Sequence, residues 1–261
     1  MIIWLASYPK SGNTLIRSML SAYLFSKDGV YNFDIIKNIR HFPNIELFEK
    51  LNINPDNDSE IIKNYVNVQN SFNDKNSIQF LKTHSYLFNF NNSYPFTNLN
   101  ISLGVIYIVR DPRNVVSSLA KFESKTTEQT ANLLTQNLTL GGNLNSESEY
   151  EKTTVYVGTW GSNYNSWKSF KKFNKYLLIK YEDLISDRKK IFLEILEFIY
   201  QLNGSKLEIN DEKLKNVLKT TEFEYLQNLE AKYGFDDARI NKKSKEKIPF
   251  FNLGPKRDWR K

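Results

Sequence analysis

Three short stretches place chemistry-bearing side chains at informative spacings. The first is "YPKSGNT", Tyr8 to Thr14, with an apolar run before it and an amphipathic run after it. It reads as the loop of a strand–loop–helix unit. The first helical N–H groups of such a unit lack intrahelical partners and point at the loop, and the helix dipole adds partial positive charge there. Gly12 permits an unusual backbone angle and close approach of a ligand. Lys10 brings a cation, Ser11 a hydroxyl, and Asn13 and Thr14 further donors. The set suits phosphate or sulfate. A plain strand-to-helix turn built on Pro9 and Gly12 is the alternative. The nucleotide-binding pattern G-x-x-x-x-G-K-[ST] places lysine after its second glycine. Here lysine precedes the only glycine, and the Gly-Lys-Ser/Thr run that normally holds Mg²⁺ is missing. That order argues against an ATP-type, metal-dependent site.

The second stretch is "FLKTHSYLF", residues 80–88. The chain has two histidines, His41 and His84, and only His84 closes an apolar strand. An imidazole with a pKa of about 6.5 can take a proton near neutral pH. Residues two apart in an extended segment point the same way, so Lys82 and His84 can share a face. A structural histidine at a strand end is the competing explanation. The third stretch, "VIYIVRDPRNVVSSLAKF" (105–122), carries Arg110 and, eight residues on, Ser118. Arginine offers a planar fork for phosphate oxygens. A salt bridge from Arg110 to Asp111 and a helix-interior serine bonded locally are the structural alternatives. Arg113 reads as a solvated helix-start residue.

These residues need elements to position them. Residues 2–7 are apolar and read as a buried strand, and Thr14 to Phe25 as an amphipathic helix. Residues 27–75 are polar and Asn-rich, with short helical patches. Ile78 to Thr83, Leu103 to Val109 and 175–181 ("KYLLIKY") read as further strands, the Leu103 strand as the most buried. Asp111 can cap the next helix, with Pro112 at its first position. Residues 124–155 lose periodicity after Leu140 and read as a long functional loop. Val157 to Phe173 reads as one helix carrying Trp160, Tyr164 and Trp167, and Arg188 to Tyr200 as another. Shorter helices are expected near 211–219 and 222–230. Strands alternating with helices imply an α/β fold with a parallel sheet covered on both faces, in a chain with no firm domain boundary.

Composition bounds the function. With 261 residues, 40% hydrophobic and 14% aromatic, the chain can bury a real core. It has no cysteine, which excludes disulfides and cysteine metal sites and fits a reducing compartment, read here as the cytoplasm. The start lacks a basic leader, and no apolar run approaches the ~18 residues of a membrane span. The net charge of +7 favours polyanionic partners, yet part of it sits in runs such as "NKKSKEK" (241–247) that read as solvated surface. No basic helix with interleaved aromatics accompanies the charge, so no nucleic-acid partner is expected.

Taken together, five stretches resemble the PAPS-dependent sulfotransferases, in a cytosolic-type, bacterial-like domain. They are "YPKSGNTLIR", "FLKTHSYLF", "VIYIVRDPRNVVSSLAKF", "LLIKYEDLISDRKKIFLEILEFI" (177–199) and the closing "FFNLGPKRDWRK". The resemblance covers 1–25 and 78–261 and leaves 26–77 and 124–155 unmatched. It implies one sulfotransferase domain over 1–261, three-layered with a central parallel sheet and P-loop nucleoside-kinase-like. It also implies 3′-phosphoadenosine-5′-phosphosulfate (PAPS) as co-substrate, with the sulfuryl group moved to a hydroxyl or amine and PAP released. His84 would be the general base, with Lys10 and Lys82 stabilising charge. Ser11, Gly12, Asn13 and Thr14 would hold the 5′-phosphate with Lys10, and Arg110 and Ser118 the 3′-phosphate. Tyr181 would lie near the adenine, and Gly254, Lys256 and Arg257 would belong to the loop that closes over the 3′-phosphate. Glu182 and Asp183 would cap the following helix. No metal is implied. The acceptor would be a small molecule or a glycan, shaped by 26–77 and 124–155. Two positions depart from the family. Leu15 stands where a tryptophan often packs on adenine, which leaves Trp4 or another aromatic to substitute. Relatives usually continue where this chain stops, two residues after Trp259, so a missing C-terminal end is also an expectation. The rival readings are a relative of the nucleotide or small-molecule kinases and a non-catalytic anion-binding protein.

Overall fold

The computed structural model describes residues 1–74, 77–142, 152–240, 247–252, 254 and 259. In chain order the first elements are β1 (Ile2–Ser7), α1 (Asn13–Phe25), β2 (Arg40–His41), α2 (Ile45–Glu49), α3 (Asp58–Lys63) and α4 (Tyr65–Ser71). The middle of the chain forms β3 (Gln79–Thr83), β4 (Asn89–Phe90), β5 (Tyr94–Pro95), β6 (Ser102–Val109), α5 (Pro112–Glu123), α6 (Thr127–Thr135), β7 (Leu138–Leu140) and β8 (Val155–Gly158). There follow α7 (Trp160–Trp167), β9 (Tyr176–Lys180), α8 (Tyr181–Ser186), α9 (Arg188–Leu202), α10 (Asp211–Thr220), α11 (Phe223–Tyr233), β10 (Arg239–Ile240) and β11 (Lys247–Ile248). Two compact units result, each assembled from separated segments. The first gathers Met1–Tyr8, Ile39–Val109 and Thr135–Leu178; the second gathers Pro9–Asn38, Arg110–Leu134 and Ile179–Lys261.

The central sheet runs β2-β3-β1-β6-β9. β1 pairs in parallel with both β3 and β6, and β2 in parallel with β3. All six residues of β1 are buried, whereas β6 is partly exposed at Val109 and Leu103. β1 is therefore the most buried strand rather than the Leu103 strand; it is the central strand of the five, with two strands to one side of it and two to the other.

The first unit is held by an aromatic core. Trp4, fully buried on β1, lies 5.7 Å from Phe42, 5.3 Å from Phe96 and 6.0 Å from Trp167, ring centre to ring centre. Its indole N–H donates to Ser102 Oγ at 2.8 Å. Trp4 is thus a core residue and does not stand in for an adenine-packing tryptophan. Truncating such a side chain costs roughly 3–5 kcal/mol.

Two expected elements are drawn differently. Val157 and Gly158 finish β8 rather than opening a helix, and α7 starts after a Thr159–Ser162 capping box. Past Lys168 the chain tightens into a 3-10 turn to Phe173. The stretch 124–155 is also not one loop. Thr127–Thr135 is helical, and β7 pairs antiparallel with β8. Residues 143–151 and the run 241–246 lie outside the described residues.

In the second unit, α1 turns Tyr23 onto Phe192 of α9 at 5.8 Å. Arg17, 4% exposed, faces Asp237 at 3.6 Å. Asp111 caps α5 by accepting from Arg113 N, with Pro112 at the first position, as its sequence predicts. α9 is capped by Asp187 rather than by Glu182 or Asp183; Glu182 instead accepts from Asp111 N at 3.0 Å.

Burial pushes the phenols of Tyr8, Tyr65, Tyr107 and Tyr176 above their ordinary value. A raised folded-state pKa contributes stability that is intact below the unfolded value and is lost as pH rises towards the folded one. We therefore expect stability to fall once pH passes about 10. Circular dichroism and phenolate absorbance followed across that range should show ionisation of these tyrosines and unfolding together. Their full ionisation in a still-folded chain would contradict the burial.

Candidate active site

β1 ends at Ser7, and the loop that follows is where the backbone departs from ordinary geometry. Lys10 takes φ +65 and Gly12 takes φ +99. A non-glycine residue held there costs about 1–3 kcal/mol. Arg110 helps to hold it, since its Nη1 donates to the Lys10 carbonyl at 3.1 Å. A Cβ at Gly12 would overlap the Tyr181 ring. The Arg110 guanidinium lies 4.4 Å from the same ring. Tyr181 is thus packed between loop and arginine; burial pushes its phenol up, and Arg110 pulls the other way.

Several polar groups gather where this loop meets α1. α1 begins after Gly12 with no side-chain cap and no acidic residue in its first turn. Asn13 and Thr14, at that helix start, are buried. Ser11 is 1% exposed, and its hydroxyl has no hydrogen-bond partner among the described residues. The Nε–H of Arg110 is buried and unpartnered in the same sense. Buried donors left without protein acceptors are rare and call for an explanation. A bound anion supplies one.

The Lys10 ammonium lies 4.0 Å from the Phe122 ring centre and 4.2 Å from that of Phe250. Ser118 and Lys121 line the same small cleft. Lys121 donates to Asn252 at 2.8 Å. The two oxygens of Glu230 accept from the N–H groups of Phe250 and Phe251, at 2.7 and 2.9 Å, and so pin that segment to α11. Sequence reasoning missed Phe122, Phe250 and Glu230, because no local pattern links α5, α11 and the last residues of the chain. Gly254 turns at φ +71 beside Phe223. Lys256 and Arg257 lie outside the described residues. Arg113 is a helix-start residue as expected; it pairs with Asp111 and covers the Trp259 ring. Arg110, by contrast, makes the loop contacts given above.

In the first unit, Lys82 on β3 is 5% exposed and His84 just beyond it is 8% exposed. His84 Nδ1 lies 2.8 Å from the Ser7 carbonyl oxygen and 3.2 Å from Ser7 Oγ. A carbonyl only accepts, so Nδ1 carries the proton. The neutral ring therefore has its accepting lone pair on Nε2. Ser7 is a further residue that the sequence did not single out. Among the described residues no three His, Cys, Asp or Glu side chains gather as metal ligands. No helix there is long and apolar enough to cross a membrane.

Residues 2–261 match the sulfotransferase domain, and the chain belongs to that family. Sulfotransferase 2A6 of Rattus norvegicus is 31% identical over 123 residues, covering 47% of this chain and 38% of the relative. The 3-beta-hydroxysteroid sulfotransferase of Cavia porcellus is 27% identical over 171 residues, covering 64% of this chain and 53% of the relative. The matches thus span between about two fifths and half of these relatives' own length. Among solved structures, mouse sulfotransferase SULT7A1 complexed with PAP superposes with a TM-score of 0.52 at 19% identity, over 87% of this chain and 65% of the other. Retinol dehydratase with androsterone and PAP gives 0.53 at 16%, over 88% and 66%. At these identities the superpositions speak for the fold.

Gly12→Ala is expected to cost about 1–3 kcal/mol of stability, through its positive φ and the collision with Tyr181. Chemical denaturation would measure it. An alanine variant of unchanged stability would show that the loop does not need its glycine.

Proposed function

We propose that this chain transfers a sulfuryl group from PAPS to a hydroxyl or amine acceptor and releases PAP. The observation that carries the reading is the pair of buried donors, Ser11 Oγ and Arg110 Nε, that have no partner among the described residues, beside the Lys10–Gly12 turn, in a chain of the sulfotransferase family. PAPS supplies a sulfuryl group joined to the 5′-phosphate through a bridging oxygen, the bond that breaks in the transfer.

The residues take the following parts in this reading. Ser11, Gly12, Asn13 and Thr14 bind the 5′-phosphate through loop and helix-start donors. Arg110 and Ser118 bind the 3′-phosphate, and Tyr181 packs near the adenine. Lys10 offsets the negative charge that grows on the leaving phosphate, and Lys82 adds to that field. His84 Nε2 takes the acceptor's proton as the acceptor oxygen or nitrogen attacks sulfur. Such a loose transfer asks for in-line placement and positive charge more than for covalent help, by analogy with phosphoryl transfer. Gly254, Lys256 and Arg257 belong to the closing loop in this assignment. Residues 1–261 act as one domain of the P-loop nucleoside-kinase type, in the cytoplasm. The acceptor is a small molecule or a glycan; solved neighbours that hold androsterone or retinol with PAP support the small-molecule arm.

Two measurements test this. Calorimetric titration with PAP, ATP–Mg²⁺ and an oligonucleotide should show tight binding of PAP alone. A preference for ATP–Mg²⁺ would point to a kinase, and salt-sensitive oligonucleotide binding to an anion-binding protein. His84→Ala should lower transfer by about 10²–10⁴-fold, the usual worth of a general base, while PAP affinity stays nearly intact. Equal loss of both would make His84 a structural residue.

A further inference from the structure

His84 stands one residue past the end of β3, and its carbonyl finds its partner in a side chain instead of a strand. Asn163, fully buried on α7, donates through Nδ2 to the His84 carbonyl at 2.8 Å and to the Val157 carbonyl at 2.8 Å. Its Oδ1 accepts from the Tyr107 hydroxyl at 2.7 Å. Both amide hydrogens and the amide oxygen are therefore engaged. Reversing the amide would set its oxygen against two carbonyls that cannot donate, so only one orientation satisfies the network. Burial raises the Tyr107 phenol well above its ordinary value, which keeps it a donor at any working pH.

The same helix edge holds the residues after His84. Trp167 Nε1 donates to the Ser85 carbonyl at 3.0 Å, and Ser166 Oγ accepts from Leu87 N at 2.9 Å. Positions 163, 166 and 167 are spaced i, i+3 and i+4, so they lie on one helical face. That face takes the carbonyls of His84 and Ser85 and the N–H of Leu87, while the Tyr86 N–H donates to the Tyr156 carbonyl of β8 at 2.9 Å. The imidazole is then fixed at two points: its Nδ1–H by Ser7 at the end of β1, and its main chain by α7.

We propose that Asn163, oriented by Tyr107, is a positioning residue for the His84 base. Resting on the sulfuryl-transfer reading, it holds the His84 main chain where the Ser7 carbonyl can keep the proton on Nδ1 and leave Nε2 to accept. Without that hold the Nδ1–Ser7 bond loosens, the two neutral tautomers mix, and a smaller share of the rings carries Nε2 in its unprotonated form. Donor binding through Ser11 and Arg110 does not depend on this hold.

The test uses the full chain carrying His41→Gln, so that His84 alone gives imidazole signals. Long-range ¹H–¹⁵N spectroscopy should show the Nδ1–H tautomer. Asn163→Ala should raise the Nε2–H share and lower kcat by about 10–100-fold, the scale of a misplaced catalytic group, with the donor KM unchanged. Tyr107→Phe, which leaves Asn163 in place but removes its orienting donor, should move both readouts the same way by less. If Asn163→Ala fails to fold by near-UV circular dichroism, Tyr107→Phe decides alone. Folded variants with an unaltered tautomer and kcat, or with only the donor KM raised, would overturn the proposal. Full transfer by His84→Ala would remove the base assignment instead. The tautomer measurement would still report whether Asn163 positions the ring.

Discussion

The burial of β1 is the constraint on which the rest depends. A strand with six buried residues and a parallel neighbour on each side cannot slip in register without losing its ladder and its core face together. That fixes the Ser7 carbonyl at the end of the strand. A main-chain carbonyl is an acceptor only, so backbone geometry places the His84 proton on Nδ1. Three residues later the chain has reached Lys10. The strand thus ends in a defined hydrogen-bond acceptor, the Ser7 carbonyl, and the chain runs on from it into the loop.

Beyond β1, the second unit stores and offsets strain in the loop. Lys10 in the left-handed region is costly, and the bond from Arg110 to its carbonyl works against that cost. The contact of Tyr181 with Gly12 admits no side chain at that position. The Lys10 ammonium lies against two aromatic faces, one from α5 and one from the segment that Glu230 pins. An ammonium against aromatic faces is attracted by the ring quadrupoles, which helps to hold the Lys10 side chain in place.

Much of the fold could be read from the chain because burial and periodicity are local. The six apolar residues before Tyr8, the alternation of strands and amphipathic helices, and Asp111 ahead of Pro112 all carry their own signals. So does the lysine-before-glycine order of the loop, which argued against an Mg²⁺–ATP site. The boundary of α7 was misplaced because Val157, Gly158 and Thr159 suit a helix start as well as a strand end. Pairing with β7 decides between them, and that pairing is set by tertiary contact. Trp4 was open to a ligand role until the rings of Phe42, Phe96 and Trp167 closed around it.

The sequence by itself determined which residues could do the chemistry: a loop of donors, a histidine closing a strand, and an arginine before a capped helix. Their types and order along the chain carry that information. Only the tertiary structure decided their states. Ser7 sets the His84 tautomer across 77 residues, and Asn163 reaches the His84 carbonyl across 79. Tyr107 orients that amide from 56 residues away. Hydrogen bonds between positions so far apart leave no periodic trace in a single chain. They come into being only when β1 and β6 are paired and α7 packs beside them.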